Sequence, residues 1–262
     1  MRNYNWEGKE ERAAKAVAHT QQMTECFQDL IDSAVRHTRI YGTDFVVPFE
    51  EDAKVSEPHG MLCATDSVTA AFQFVEGKTA ILNFASHKNP GGMFIGGSRA
   101  QEECLCHESF LYNVLRECND YYAWNNRNLN RGLYVNRGLY TPGVIFIHND
   151  EIASFDVITC AAPNKTAAQK YQNVTNEENS KALRQRIRFV LDIAADNEVE
   201  TLILGAYGCG VFGQDATEVA QIFKTLLPFY NFKKVIFAIP QGNGNFEKFK
   251  KVWIKEETEE NE

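Results

Sequence analysis

One stretch constrains this chain more than any other: Asn89-Pro90-Gly91-Gly92-Met93-Phe94-Ile95-Gly96-Gly97-Ser98-Arg99-Ala100-Gln101-Glu102-Glu103. Before it, Thr79 to Phe84 reads as a short buried strand. After it, Leu111, Val114, Leu115 and Cys118 mark one face of a helix that is expected to run from Glu103 to about Trp124. The stretch is therefore a strand-to-helix loop. Its four glycines permit backbone conformations that other residues avoid and let the backbone approach a ligand closely. Neighbouring residues face different ways on a helix, so Glu102 and Glu103 are expected to divide labour, one binding and one doing chemistry. If they lie close together, repulsion and burial raise one pKa, as a general acid at neutral pH requires. A plain surface loop whose glutamates complement the helix dipole fits the same residues.

A second glycine loop follows the buried strand Thr201-Leu202-Ile203-Leu204: Gly205-Ala206-Tyr207-Gly208-Cys209-Gly210-Val211-Phe212-Gly213. A helix from about Ala216 to Leu227, capped by Asp215 or Thr217, comes next. Strand, glycine loop and helix N-terminus form a generic anion cradle, with phosphate or diphosphate as the guest. Gly208-x-Gly210-x-x-Gly213 also matches the dinucleotide fingerprint, so a nicotinamide-dependent oxidoreductase competes. That fingerprint wants an acid at the end of the next strand. Here Lys234 to Ile239 ends in Pro240-Gln241-Gly242-Asn243-Gly244, and no Gly-Lys-Ser/Thr follows a glycine loop either.

The remaining elements are read from period and breakers. Lys9 to His37 suggests one or two helices, and Pro48 with Glu50-Glu51-Asp52 a loop. Met61 to Ala64 is a strand, Thr65-Asp66-Ser67 a turn and N-cap, and Val68 to Val75 a short helix. Asn130 to Tyr134 and Asn136 to Tyr140 repeat Asn-Arg-Gly-Leu-Tyr, which a hairpin or paired turns would explain. Gly143 to Ile147 and Phe155 to Ala162 are buried strands, Thr166 to Asn179 a polar loop, and Ser180 to Ala195 a helix.

Composition closes off several classes. Of 262 residues, 44% are hydrophobic, enough for a real core, and no apolar run reaches membrane-span length. The first residues lack an apolar signal core, which argues against secretion. Seven cysteines without a regular framework fit buried thiols in a reducing compartment, so the cytoplasm is expected. Cys104, Cys106 and His107 are soft ligands close together, but no second pair completes a four-coordinate site and no metal is assigned. Net charge is −8, and the segment from Lys255 to Glu262 holds one Lys against five Glu. A basic nucleic-acid surface is not indicated.

Together the two loops resemble the signature of microbial-type poly(ADP-ribose) glycohydrolases: three glycines, six to eight residues, then Gln-Glu-Glu, in a macrodomain-like fold. Here Gly91, Gly92 and Met93 precede seven residues and Gln101-Glu102-Glu103, with Met93 standing where the third glycine belongs. The phrase Ile158 to Asn164 and the late Gly-Cys-Gly-x-Phe-Gly belong to the same likeness, which covers about Met61 to Pro240. It implies a three-layer α/β/α mixed sheet. The expected organisation is a helical extension over 1–58, a catalytic core over 59–254 and an acidic disordered tail over 255–262.

The resemblance implies hydrolysis of ribose–ribose O-glycosidic bonds with release of ADP-ribose, and no cofactor. It gives Glu103 the acid–base role, Glu102 and Gln101 the leaving ribose, and Asn89 the adjacent ribose. Asp66 would contact adenine, unless it simply caps its helix. Gly91, Gly92, Gly96 and Gly97 would allow close approach, and Gly208, Cys209, Gly210, Val211, Phe212 and Gly213 would hold the diphosphate and terminal ribose. If Met93 denies the loop a positive backbone dihedral or room for phosphate, substrate choice changes. An ADP-ribose-binding reader or a hydrolase of a mono-ADP-ribosyl linkage are the alternatives; the partner is an ADP-ribosylated macromolecule in either case.

Overall fold

The computed structural model describes residues 8–48 and 60–254. The loop expected at Glu50-Glu51-Asp52 and the tail over 255–262 lie outside these residues. Among the described residues the fold is mixed α/β, with seven strands and nine α-helices in two compact units.

The first unit holds the described part of Met1–Phe45 with Ala80–Asn130 and Tyr134–Ala161. Its strands are β1 (Arg39–Tyr41), β3 (Thr79–Phe84, from Ala80), β4 (Gly138–His148) and β5 (Glu151–Cys160), in the order β1-β4-β5-β3. β4 and β5 form an antiparallel hairpin closed by Asn149 and Asp150, both at positive φ (49° and 68°). Asn and Asp tolerate that region, and two such residues match the twist of the flanking strands. β3 runs parallel to β5, with Leu82 opposite Ile158 and Phe84 opposite Cys160.

Four helices belong to this unit: α1 (Lys9–His37), α3 (Gln101–His107), α4 (Leu111–Leu115) and α5 (Asn119–Arg127). α1 packs on α4 and β4 and is broken by a non-helical Phe27. The long helix expected from Glu103 to Trp124 is three short ones. The backbone at 108–110 is diverted into pairing with β4, where Ile147 N–H reaches Glu108 O and Phe110 N–H reaches Ile145 O. Ser109 seals the break by donating to Leu105 O and accepting from Leu111 N–H.

The second unit comprises the described part of Val46–Thr79 with Arg131–Leu133 and the chain from Ala162 onward. Its strands β6 (Thr201–Leu204), β7 (Lys234–Ala238) and β2 (Met61–Cys63) are parallel, in the order β6-β7-β2. Its helices are α2 (Ser67–Phe74), α6 (Lys165–Gln172), α7 (Asn176–Asp196), α8 (Ala216–Leu226) and α9 (Asn245–Trp253).

The segment 166–179 read as a loop is mostly helical. Asn164 caps α6 by accepting from Ala167 N–H, and Asn173 ends it in the left-handed region. Thr175 and Glu178 then form a capping box that starts α7. The repeated pentapeptide adopts two structures. Its first copy is a tight turn with Asn130, Arg131, Gly132 and Tyr134 at positive φ, whereas the second leads into β4.

Candidate active site

The Gly91 loop is a chain of tight turns. Gly92 N–H bonds Asn89 O, Phe94 N–H bonds Gly91 O, Gly97 N–H bonds Phe94 O, and Ser98 N–H closes back on Met93 O. Phe94 is fully buried against the rings of His107 and Tyr112, at 4.6 and 5.1 Å between centroids. Phe94 is thus the loop's buried anchor, whereas Met93 and Ile95 on either side of it are exposed.

The glycines have separate reasons. Gly91, Gly92 and Gly97 have φ of 63°, 62° and 75°, whereas Gly96 does not need that region. A Cβ on Gly91 would press into the Tyr112 ring, and one on Gly97 would overlap the Lys9 carbonyl in the first turn of α1. Arg12 Nε also donates to Gly97 O at 2.8 Å. Two glycines expected to face a ligand are therefore required by the protein's own packing.

Gly92 is the one that meets the carboxylates. A Cβ there would stand 2.6 Å from Glu103 Oε1 and 3.0 Å from Glu102 Oε2. Neighbours on a helix, expected to diverge, converge on this point because each side chain is drawn to a different backbone. Glu102 reaches toward β3, accepting from Ser86 N–H at 2.6 Å and Asn83 Nδ2 at 3.2 Å. Glu103 folds back over its own helix start, accepting from Ala100 N–H at 2.8 Å and Met93 N–H at 2.9 Å.

Both are nearly inaccessible, at 3% and 5% exposure. Burial pushes the Glu102 carboxyl up to about 8, aided by the neighbouring Glu103 charge and opposed by its Ser86, Asn83 and Gly91 hydrogen bonds.

Gln101 is engaged at both ends of its amide: Phe84 N–H donates to Oε1 at 2.8 Å and Nε2 donates to Leu82 O at 2.9 Å. It fastens α3 to β3 and so sets where the two carboxylates start. Asn89 is exposed, with its N–H on Ser86 Oγ. Met93 does not occupy positive φ, its N–H serves Glu103, and its side chain is 53% exposed. The missing glycine therefore introduces no backbone strain.

Asn83, Ser86 and Thr159 were not singled out for chemistry, yet they build the Glu102 environment. Asn83 Nδ2 bridges Glu102 and Thr159 Oγ1, while Ser86 Oγ accepts from Lys88 and Asn89 N–H and shapes the turn that aims Ser86 N–H. The available signal was a polar Asn inside an otherwise apolar buried strand.

In the second unit Asp66 is an N-cap, accepting from Val68 and Thr69 N–H and from Thr69 Oγ1. Asp215 caps α8 and pairs with Lys248. In the loop 205–213, Gly208 and Gly213 lie at φ of 75° and 72° against Gln214 and Thr166. Gly210 has neither a positive φ nor any atom near its Cβ position. Val211 beside it is 85% exposed, Phe212 is half-buried with its carbonyl on Thr166 N–H, and burial pushes the Cys209 thiol up to about 12.

A mixed α/β fold with a glycine loop over paired buried carboxylates defines a macrodomain-like hydrolase class. Residues 9–149 match the family described as "Microbial-type PARG, catalytic domain", and the chain belongs to this family of poly(ADP-ribose) glycohydrolases. The match includes α1. Among solved structures, the glycohydrolase of Thermomonospora curvata is 30% identical with a TM-score of 0.82, covering 93% of this chain and 99% of that one. Its complex with the inhibitor ADP-HPD is 31% identical, with a TM-score of 0.79 over 92% of this chain and 98% of the other. The Deinococcus radiodurans enzyme in complex with ADP-ribose is 30% identical, with a TM-score of 0.75 over 85% and 96%. No curated protein matches the chain. None of the described helices is long and apolar enough to cross a membrane.

Proposed function

We propose that the protein hydrolyses the ribose–ribose O-glycosidic bond of poly(ADP-ribose), releasing ADP-ribose. The observation that carries this is the convergence of the Glu102 and Glu103 carboxylates on the Gly92 backbone, one of them held protonated near neutral pH. Breaking a bond at an anomeric carbon builds positive charge on the sugar, and a carboxyl that protonates the departing oxygen lowers that barrier.

Glu103 delivers a proton to the leaving oxygen as the bond to the anomeric carbon breaks, beside a Glu102 whose carboxyl burial has pushed up to about 8. The Glu103 carboxylate, fixed by the Met93 and Ala100 N–H groups, then takes a proton from the attacking water. Glu102 holds the leaving ribose through its hydroxyls, and Asn89 the adjacent ribose. Gln101 acts by positioning both carboxylates. In the second loop Gly210 has no folding reason to be glycine, which supports backbone contact with the diphosphate there. Phe212 would position the terminal ribose, and Asp66, already a cap, would present its remaining lone pairs to adenine.

We read 59–254 as the catalytic core and 1–58 as an extension that contributes Arg12 to the loop's support. Seven free thiols favour a reducing compartment such as the cytoplasm. The test is incubation of the protein and its Glu103→Gln variant with poly(ADP-ribose), without added metal, and chromatography of free ADP-ribose. Release by the parent alone is expected; equal release by both would overturn the role of Glu103, and none by either the activity.

A further inference from the structure

Arg137 precedes β4 and lies across aromatic rings, its guanidinium carbon 4.4 Å from the Trp124 ring centre and 5.8 Å from that of Tyr121. No carboxylate or carbonyl among the described residues accepts from it, and its Nε is enclosed without a partner. Asp120 attracts it at longer range and forms no ion pair. A guanidinium carries five donors in a fixed fork, and leaving them unused while half-buried is costly. Stacking on Trp124 fixes the fork in place without consuming any donor.

Its position follows from the ladder. Cys160 Sγ donates to Arg137 O, and Cys160 pairs with Phe84, whose N–H is held by Gln101. Arg137 therefore sits at the carboxyl ends of β3 and β5, where open sheets place ligands. The helix bearing Trp124 is tied to the segment leading into the glycine loop: Asn125 and Asn126 donate to the carbonyls of His87 and Lys88, next to Ser86 and Asn89.

We propose that Arg137, stacked on Trp124, is a second anion subsite that takes a phosphate of the neighbouring ADP-ribose unit, on the leaving side of the scissile bond. This rests on the glycohydrolase reading. The diphosphate of the released unit is assigned to the second glycine loop, so a further phosphate fork belongs to the unit beyond the cut. A planar guanidinium donates two parallel hydrogen bonds to phosphate oxygens.

The test compares kcat and KM on poly(ADP-ribose) with those on an ADP-ribosyl glycoside of an uncharged phenol, which has no leaving-side phosphate. Arg137→Gln is expected to raise KM for polymer about 10- to 100-fold, the loss typical of a hydrogen bond to a charged group. Its kcat on polymer and both constants on the glycoside stay unchanged, and Arg137→Lys recovers part of the loss. Equal losses on both substrates, or none on either, overturn the subsite.

Binding is read separately in the Glu103→Gln background from Trp124 emission, identified by its loss in Trp124→Phe. Quenching by polymer at lower phosphate concentration than by inorganic phosphate, abolished by Arg137→Gln, supports the polymer as the source. Quenching by inorganic phosphate with no response to polymer overturns that source. If the parent turns over neither substrate, the glycohydrolase reading fails, and the emission titration still decides the anion site.

Discussion

Glu102 Oε2 and Glu103 Oε1 both lie within about one hydrogen-bond length of the place a Cβ on Gly92 would occupy, at 3.0 and 2.6 Å. Any side chain there displaces the pair. Gly92→Ala also forces alanine to a φ of 62°. We expect a stability loss of about 1–2 kcal/mol from the backbone alone and at least about a tenfold fall in activity, since a misplaced carboxylate loses its alignment. Gly96→Ala, at ordinary φ with only Met93 nearby at 3.4 Å, should change stability by less than about 0.5 kcal/mol. Chemical denaturation and ADP-ribose release on the two variants check the contrast.

The Glu102 carboxyl titrates near 8 in the folded protein against an ordinary value of 4.5. Between those values the folded state holds a proton that the unfolded chain has lost, so stability is full below about 4.5 and falls as pH rises to about 8. At about 1.36 kcal/mol per unit the loss is on the order of a few kcal/mol. Melting temperature should drop across that window, and Glu102→Gln should flatten the profile. A profile as steep in the variant as in the parent would remove Glu102 as its source.

Glu103→Gln keeps the side-chain oxygen for a backbone N–H but removes the proton chemistry. The rate of ADP-ribose release should fall by about 10²–10⁴-fold, with a stability cost of about 1–3 kcal/mol from the second backbone N–H left without an acceptor. A small rate effect would move the acid to Glu102.

Met93→Gly restores the family's third glycine. Because Met93 has an ordinary backbone and an exposed side chain, no strain is relieved. Stability should fall by about 0.5–1 kcal/mol through unfolded-chain entropy, with activity on polymer within threefold or so of the parent. A large gain in activity would show that the Met side chain itself restricts the substrate.

Phe94→Ala removes the anchor of the glycine loop. We expect a cost of about 3–5 kcal/mol, with catalysis lost before the fold as denaturant is raised. Coincident loss of activity and of helical signal would show instead that the loop and the unit open together.

Much of this architecture was legible because local signals agreed: the apolar runs Ala80–Leu82 and Leu202–Leu204 are buried strands, and Asp66 and Asp215 are caps. The capping box Thr175-x-x-Glu178 was equally legible in principle, but the polarity of its surroundings outweighed it. The break at Ser109 was not legible, because it depends on pairing with Phe146, far away in the chain. The glutamate pair stands out by its motif, whereas its convergence does not, since helix spacing says nothing about side chains pulled by Ser86 on one side and Ala100 on the other. Nor do the glycines of the loop advertise which ones touch Tyr112 or Lys9 and which face the carboxylates.

The contact between Gly97 and the first turn of α1 makes the N-terminal helix a brace for the glycine loop. A protein trimmed to begin at residue 59 keeps every residue of the Gln-Glu-Glu signature, yet loses the Arg12 side chain and the Lys9 backbone against which the loop is set. We therefore expect the smallest working enzyme to be larger than its motif, with any change that frays the start of α1 acting on the candidate site from outside it.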